Sequence, residues 1–164
     1  MPVKSLNQID VVRELVSPFA KSLQSVLNTM MQVNSQMGEP QLVSQGAHLY
    51  AVSSSVGLSG ELTGAVTFST TIPVACKMLE MMTGMEATEP DEFVRDVIGE
   101  MANMVAGHGK RELEDYQLRL GLPQVMIGEG MVLYTPRWST HYWLHLETDL
   151  GPCTLDVGFS QTCA

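Results

Sequence analysis

The sequence is poor in long apolar runs and in cysteine, and each scarcity excludes a class of protein. No stretch approaches the roughly 18 apolar residues of a membrane-spanning helix, and the amino-terminal segment lacks the apolar core of a signal peptide. We therefore expect a cytoplasmic protein with no membrane partner. The three cysteines, Cys76, Cys153 and Cys163, form no C-x-x-C pair, so neither a disulfide framework nor a zinc cluster is expected.

Basic residues are scarce as well. Lys and Arg together number 9, against 18 Asp and Glu, which gives a formal net charge of −9. This charge repels the phosphates of nucleic acids and of anionic membranes, so nucleic acid is not an expected partner. A protein with basic groups near its docking surface fits the charge better.

The chain does contain enough apolar material for a core of its own. It has 164 residues, of which 45% are apolar. A chain of this size buries most of its unfolded surface without needing disulfides or metals. No low-complexity tract or long linker interrupts it, so a single domain over residues 1–164 is expected.

The first part of the chain predicts a long helix. Pro18 suits the first helical position with Ser17 as the N-cap, and helical spacing then continues to about residue 35, shortly before Gly38. The residues before Ser17 form either a separate short helix or a kinked extension of this one. The apolar stripe of the long helix consists of Phe19, Leu23, Val26 and Met30.

The apolar pattern then changes from helical to alternating, which predicts a β-hairpin over residues 49–59 and 62–69. Gly60-Glu61 suits a two-residue type II′ turn between these strands. Thr71 and Gly84 mark the start and the end of a further helix. A second long helix is expected over 90–119 and is loosened at 107–109. Four more strands are expected near 124–128, 131–135, 140–149 and 153–160. Segregated elements of this kind predict an α+β fold, with long helices packed on an antiparallel β-sheet.

The second long helix carries an unusual polar stripe. On a helical wheel Asp96, Glu100, Asn103 and Gly107 fall on one arc, roughly opposite the apolar arc. Asn103 is unfavourable in a helix interior, Asp96 and Glu100 are like charges four residues apart, and Gly107 weakens the helix. Several residues on one face are thus unfavourable for helix stability, and the sequence shows no structural benefit that compensates for them. Such a concentration of unfavourable residues is typical of a functional site.

These residues resemble the signature helix of the CheC/CheX/FliY phosphatases. The resemblance rests on Asp96-x-x-x-Glu100-x-x-Asn103, and the run from Gly99 to Gly107 is especially similar to CheX. It extends to the hairpin from Leu58 to Phe68 and to the helix start at Ser17-Pro18-Phe19. CheC relatives carry two such motifs and CheX carries one, as this sequence does. CheC and FliY proteins also have a proline downstream of the motif, for which Pro123 is the nearby candidate.

The resemblance implies a CheC-like fold and a phosphatase that acts on the aspartyl phosphate of a CheY-like receiver domain. It assigns Asn103 to positioning the attacking water and Glu100 to pairing with the receiver's active-site lysine, with Asp96 and Gly107 in support. A carboxamide suits the first role because it can accept from and donate to water without a charge that repels the phosphoryl group. Mg²⁺ would arrive bound to the receiver, so the chain itself needs no cofactor or metal site. A homodimer with joined sheets is also implied.

Two other functions remain open, and weaker motifs add none. A domain of the same fold could bind a phosphorylated regulator without hydrolysing it, or could be a structural dimerisation domain. His141 and His145 alternate like strand residues and would stand roughly 13 Å apart, too far for one metal ion. The serines at 53–55 lack an acid–base partner. The methionines of the middle helix, and the aromatic residues Trp138, Tyr142 and Trp143, are expected to serve the core and the sheet.

Overall fold

The computed structural model describes residues 7–161. The chain begins with a continuous helical stretch composed of α1 (Gln8–Val11), a π-helical segment (Val12–Val16) and α2 (Ser17–Met31). Ser17 has helical dihedral angles, and its Oγ donates to the carbonyl of Val12 at 3.0 Å. The N-cap predicted at Ser17 is therefore wrong, and the residues before it are an extension of α2.

Helix α2 ends earlier than predicted. Gln32 adopts the left-handed conformation (φ 55°) and terminates the helix, so Gly38 plays no part in its end. Met30, assigned to the apolar stripe, is 49% exposed, whereas Leu27 and Met31 are buried. The chain then enters the short strands β1 (Ser35–Met37), β2 (Gln41–Leu42) and β3 (Ala47–His48).

The predicted hairpin is formed by β4 (Val52–Ser59) and β5 (Leu62–Thr70). Its turn differs from the prediction, because Leu58 lies opposite Gly64, whereas a two-residue turn at Gly60-Glu61 would place it opposite Thr63. Gly60 is not in the left-handed region that a type II′ turn requires. Glycine is needed there because a Cβ would lie 2.6 Å from the carbonyl oxygen of Gln117.

Two helices follow the hairpin. Helix α3 (Ile72–Thr83) begins at Thr71, whose hydroxyl accepts from the Val74 amide, and ends at the left-handed Gly84, as predicted. Helix α4 (Glu92–Lys110) is continuous through 107–109, so the predicted loosening is wrong. Beyond Lys110 the chain tightens into a 3₁₀ segment (Arg111–Tyr116), which shortens the predicted helix.

The remaining strands are β6 (Arg119–Leu120), β7 (Gln124–Ile127), β8 (Val132–Leu133), β9 (Thr140–Thr148) and β10 (Gly151–Gln161). The main sheet is antiparallel, with the order β1-β9-β10-β5-β4-β6; β2 also pairs with β9, and β7 with β4. Strands β3 and β8 form a separate small ladder. The α+β prediction is thus confirmed.

Helices α2 and α4 pack against each other, and α4 also lies on β4, β5 and β7. Apolar side chains of these helices and of the central strands form a continuous core. Burial of this surface is the main favourable contribution to folding and fixes the orientation of α4 on the sheet. Within residues 7–161, no helix is both long and apolar enough to cross a bilayer. The largest fully buried side chains are Phe19, Phe68, Leu23, Leu27, Leu58, Met78, Leu79, Ile98, Met101, Leu144, Leu146 and Leu155.

Candidate functional site

Helix α4 is held at its start and along one face. The carboxylate of Asp91 caps the helix by accepting from the amides of Phe93 and Val94 at 3.0 and 2.9 Å. This satisfies two amides that have no partner within the helix. The side chains that face the core are fully buried: Val94, Ile98, Met101, Ala102 and Val105.

The opposite face presents the polar stripe of Asp96, Glu100, Asn103 and Gly107. Asp96 and Glu100 are exposed, whereas Asn103 and Gly107 are half-buried. Glu100 and Asn103 are three positions apart in an unbroken helix, so their side chains are neighbours on its surface. The structure thus brings all four predicted residues together and places none of them in the hydrophobic interior.

The polar groups of the Glu100 and Asn103 side chains are available to a partner. Among residues 7–161, no side chain forms a hydrogen bond or an ion pair with Glu100 or Asn103. An exposed carboxylate beside an amide offers acceptors for a cation, and the amide offers a donor and an acceptor to water. The site therefore combines groups that can bind a lysine and hold a water molecule about one turn apart.

A chain segment at residues 120–125 lies along the side of α4. Leu120 Cδ1 is 3.7 Å from the point where a Cβ of Gly107 would stand. Near the other end of the stripe, Val125 Cγ2 and Pro123 are 3.4 and 3.9 Å from the equivalent point at Gly99. Pro123 is therefore packed against the signature helix. The sequence alone could not show this neighbour, because sheet pairing with β4 positions it.

The two glycines near the end of α4 have different roles. A Cβ at Gly109 would lie 2.3 Å from Phe19 Cδ1, so glycine permits the close contact between α2 and α4. A Cβ at Gly107 would make only ordinary van der Waals contact with Leu120. Packing within the chain does not require glycine at position 107. Any requirement for glycine there therefore comes from the solvent side of the helix, where a partner can approach.

A buried ionisable pair, which sequence reasoning missed, lies on the sheet face away from the helices. His141 Nδ1 is 3.0 Å from Asp156 Oδ2, and both side chains are almost fully buried. Burial raises the pKa of Asp156 to about 6, while the neighbouring His141 opposes that rise. The only sequence signal was polar residues within two otherwise apolar strands.

The other candidate residues do not add to the site. His145 lies in β9 with His141, and its Nε2 is 3.4 Å from Glu147 Oε1. The Ser53 hydroxyl is 2.9 Å from that of Ser69, within the sheet. Trp138 was expected in the sheet but lies outside it and is 78% exposed. Within the described part of the chain, no cluster of three or more potential metal ligands occurs.

The described cysteines are poor nucleophiles. Cys76 and Cys153 are free and buried. Burial raises the pKa of Cys153 to about 11, so its reactive thiolate form is scarce at neutral pH. Cys163 lies outside the described residues. The α3 methionines are split between core and surface, since Met78 is buried while Met81 is 49% exposed.

Known proteins share this architecture. A CheC-like superfamily protein from Shewanella sp. PV-4 superposes with a TM-score of 0.83 at 24% identity, covering 94% of this chain and 99% of that one. CheX from Borrelia burgdorferi, solved as a CheX-CheY-BeF3-Mg²⁺ complex, gives a TM-score of 0.74 at 22% identity, covering 90% and 98%. The predicted CheC-like fold is thereby confirmed.

Sequence comparison identifies the family. The CheY-P phosphatase CheX of Thermotoga maritima is 28% identical over 101 residues, which are 61% of this chain and 65% of that protein. The match therefore spans less than two thirds of the relative's length. The family model described as "Chemotaxis phosphatase CheX" matches residues 52–147, which include both strands of the hairpin and all of α4. The chain belongs to the CheX family of chemotaxis phosphatases.

Proposed function

We propose that this chain hydrolyses the aspartyl phosphate of a CheY-like receiver domain. The observation that carries the proposal is the placement of Glu100 and Asn103 on the solvent side of a helix whose other face is locked into the core. Phosphoryl transfer needs little covalent help from a protein, so a rigid helix that positions two groups is adequate machinery. Family membership and the CheX relative of Thermotoga maritima, named as a CheY-P phosphatase, support it.

Asn103 is proposed to position the attacking water. Its carboxamide oxygen accepts a hydrogen bond from the water, and its uncharged state avoids repulsion of the phosphoryl oxygens. The water oxygen attacks phosphorus in line with the aspartyl oxygen. The bond between phosphorus and that oxygen breaks, which releases inorganic phosphate and restores the receiver's carboxylate. Asn103 holds the geometry and forms no bond to phosphorus.

Glu100 is proposed to dock the receiver through its active-site lysine. A carboxylate beside a phosphoryl group is repulsive unless a cation lies between them, and the lysine supplies that charge. Charge-assisted contacts of this kind gain strength when the interface excludes water. Asp96 adds acidic charge one turn earlier, and Gly107 leaves room for the receiver's backbone to approach.

Mg²⁺ is proposed to arrive with the receiver. The Borrelia burgdorferi relative was solved together with CheY, BeF3 and Mg²⁺. The exposed carboxylates of Asp96 and Glu100 lie on the face proposed to dock the receiver, and the receiver would hold the metal. The metal would offset phosphoryl charge during the reaction.

A homodimer is also part of the proposal. The main sheet ends at both edges in the short strands β1, β2, β6 and β7, whose outer sides have no further strand among residues 7–161. Joining two sheets would pair one such edge in each subunit. Analytical ultracentrifugation tests this directly: a single monomer species across micromolar concentrations would contradict it.

The phosphatase activity is tested with purified receivers. Each receiver in a panel is phosphorylated by a small-molecule phosphodonor in Mg²⁺, and phosphate release is measured with and without this protein. Accelerated, catalytic turnover of at least one receiver is expected. Stoichiometric binding without turnover would instead identify a binding module of the same fold, and no interaction with any receiver would favour a purely structural domain.

A further inference from the structure

The segment beside the signature helix contains an irregularity that exposes a leucine. Leu120 pairs with Leu58, and Gln124 pairs with Ser55, on the same strand β4. Between these two pairs β4 has two residues, whereas the edge segment has three. The edge therefore contains a β-bulge at 121–123, which includes Pro123, a residue that has no amide hydrogen for the ladder.

The bulge changes the environment of Leu122. In a regular strand Leu122 would share the face of Leu120 and lie under α4, because alternate residues point to the same side. Instead Pro123 and Val125 take up that position against α4, and Leu122 is 86% exposed. A single exposed leucine is ordinary on a protein surface, so its location decides whether it matters.

That location is level with Asn103. The edge segment contacts α4 beside Gly107 through Leu120 and beside Gly99 through Pro123 and Val125, so the two run in opposite directions. Asn103 is midway between Gly99 and Gly107 along the helix, and Leu122 is between the corresponding contacts on the segment. Bulges frequently occur next to active sites, where they redirect a side chain.

We propose that Leu122 is a docking residue for the receiver domain that the stripe acts upon. This inference rests on the proposed function and extends it by adding an apolar contact to the polar ones. The occupant is the receiver because its surface must reach Asn103, and the exposed Leu122 lies in the segment that runs beside Asn103. Exclusion of water around Glu100 and Asn103 would be the consequence of burying Leu122 there.

The test separates binding from turnover. Leu122→Ser is expected to raise KM for the phosphorylated receiver, and Kd for the beryllofluoride-activated receiver, by about tenfold or more, since a buried leucine side chain contributes strongly to association. kcat at saturation is expected to stay within twofold of the wild type. Leu122→Met, which keeps the apolar volume, is expected to retain most of the affinity.

Trp138→Ser is the matched control, because Trp138 is 78% exposed and lies near Asp156, on the face of the sheet away from α4. An unchanged Kd for Leu122→Ser, or an equal loss in the Trp138 variant, would overturn the docking role while leaving the phosphatase proposal intact. Conversely, a wild type that binds the activated receiver without turnover would contradict the phosphatase proposal, and Kd would still decide the role of Leu122. Absence of both binding and turnover would refute both.

Discussion

The residues of the stripe differ in charge, and this difference determines what each substitution does. Asn103 is neutral and half-buried, whereas Glu100 is charged and exposed. In the proposed mechanism the neutral group acts on a water molecule in the transition state, and the charged group acts on the receiver before and during the reaction. Their substitutions should therefore give different kinetic signatures.

Glu100→Ala is expected to damage both affinity and turnover. Removing the carboxylate leaves the receiver's lysine without its partner at a water-poor interface, which costs about 2–5 kcal/mol for a buried charge pair. KM should rise and kcat should fall, together lowering kcat/KM by about 30-fold or more. Steady-state phosphate release over a range of receiver concentrations measures both constants.

The comparison with Glu100→Asp adds a control that keeps the charge but shortens its reach. A wild-type affinity in both variants would show that Glu100 does not dock the receiver. Salt offers a second check, because the wild type should lose affinity as ionic strength rises, and the Ala variant should lose less.

Among the secondary-structure elements, helix α4 determines the geometry of the site. Packing of its buried side against the core fixes the position of its exposed side, which carries the polar stripe. The helix is packed against α2 at a point where Gly109 contacts the ring of Phe19. Any change in that contact displaces the stripe relative to the sheet edge, since protein interiors transmit strain.

Gly109→Ala is therefore expected to destabilise the protein, by about 1–3 kcal/mol, because the new methyl group would overlap Phe19 and force a shift. Gly107→Ala is the matched control on the same helix. Its methyl group meets only an ordinary contact, so stability should be unchanged or should rise by up to about 1 kcal/mol from helix propensity. Urea unfolding followed by circular dichroism measures both. Equal effects at the two positions would contradict this assignment of roles.

Local signals predicted some elements well and others poorly. Thr71 and Gly84 bound α3 as expected because capping depends on neighbours in sequence. The same logic failed at Ser17, because the buried Leu15 and Val16 continue the helix ahead of Pro18. The turn at Gly60 was also mispredicted, since its glycine is required by the carbonyls of Tyr116 and Gln117, far along the chain.

The candidate site, too, could be predicted from the sequence only in part. The outward placement of Asp96, Glu100, Asn103 and Gly107 followed from helical periodicity alone, and the structure confirmed it. The segment at 120–125 could not be foreseen, because a register shift in pairing with β4 sets its position. Cross-strand contacts between distant residues leave little trace in a single sequence.

At the scale of the whole molecule, the buried pair of His141 and Asp156 should make stability depend on pH. The pKa of Asp156 is raised to about 6 in the folded protein, from an ordinary value of 3.8. Between roughly pH 4 and pH 6 the folded state therefore holds more protons than the unfolded state. The contribution of Asp156 to the free energy of unfolding is full below this window and declines as the pH rises through it.

Asp156→Asn is expected to abolish that decline, because an amide keeps the shape of the side chain but does not ionise in this range. The stability of the variant minus that of the wild type should thus increase from pH 4 to pH 6. Urea denaturation at intervals across this range measures the difference. Parallel profiles for the two proteins would show that Asp156 titrates normally in the folded state.

The net charge of −9 also belongs to the whole molecule. Two of the acidic residues, Asp96 and Glu100, lie on the proposed docking face, which favours approach of a surface with basic groups. The receiver's lysine is a point charge of the required sign. In the proposed mechanism acidic charge thus assists encounter, whereas hydrolysis itself depends on Asn103.

The central claim is that Asn103 positions the water that hydrolyses the receiver's aspartyl phosphate. The most direct measurement compares wild type and Asn103→Ala for kcat of phosphate release and for Kd of the beryllofluoride-activated receiver. We predict a fall in kcat of about 100-fold or more, with Kd within about threefold, because a group that acts only in the transition state contributes little to binding. Wild-type turnover in the Asn103→Ala protein would contradict the account.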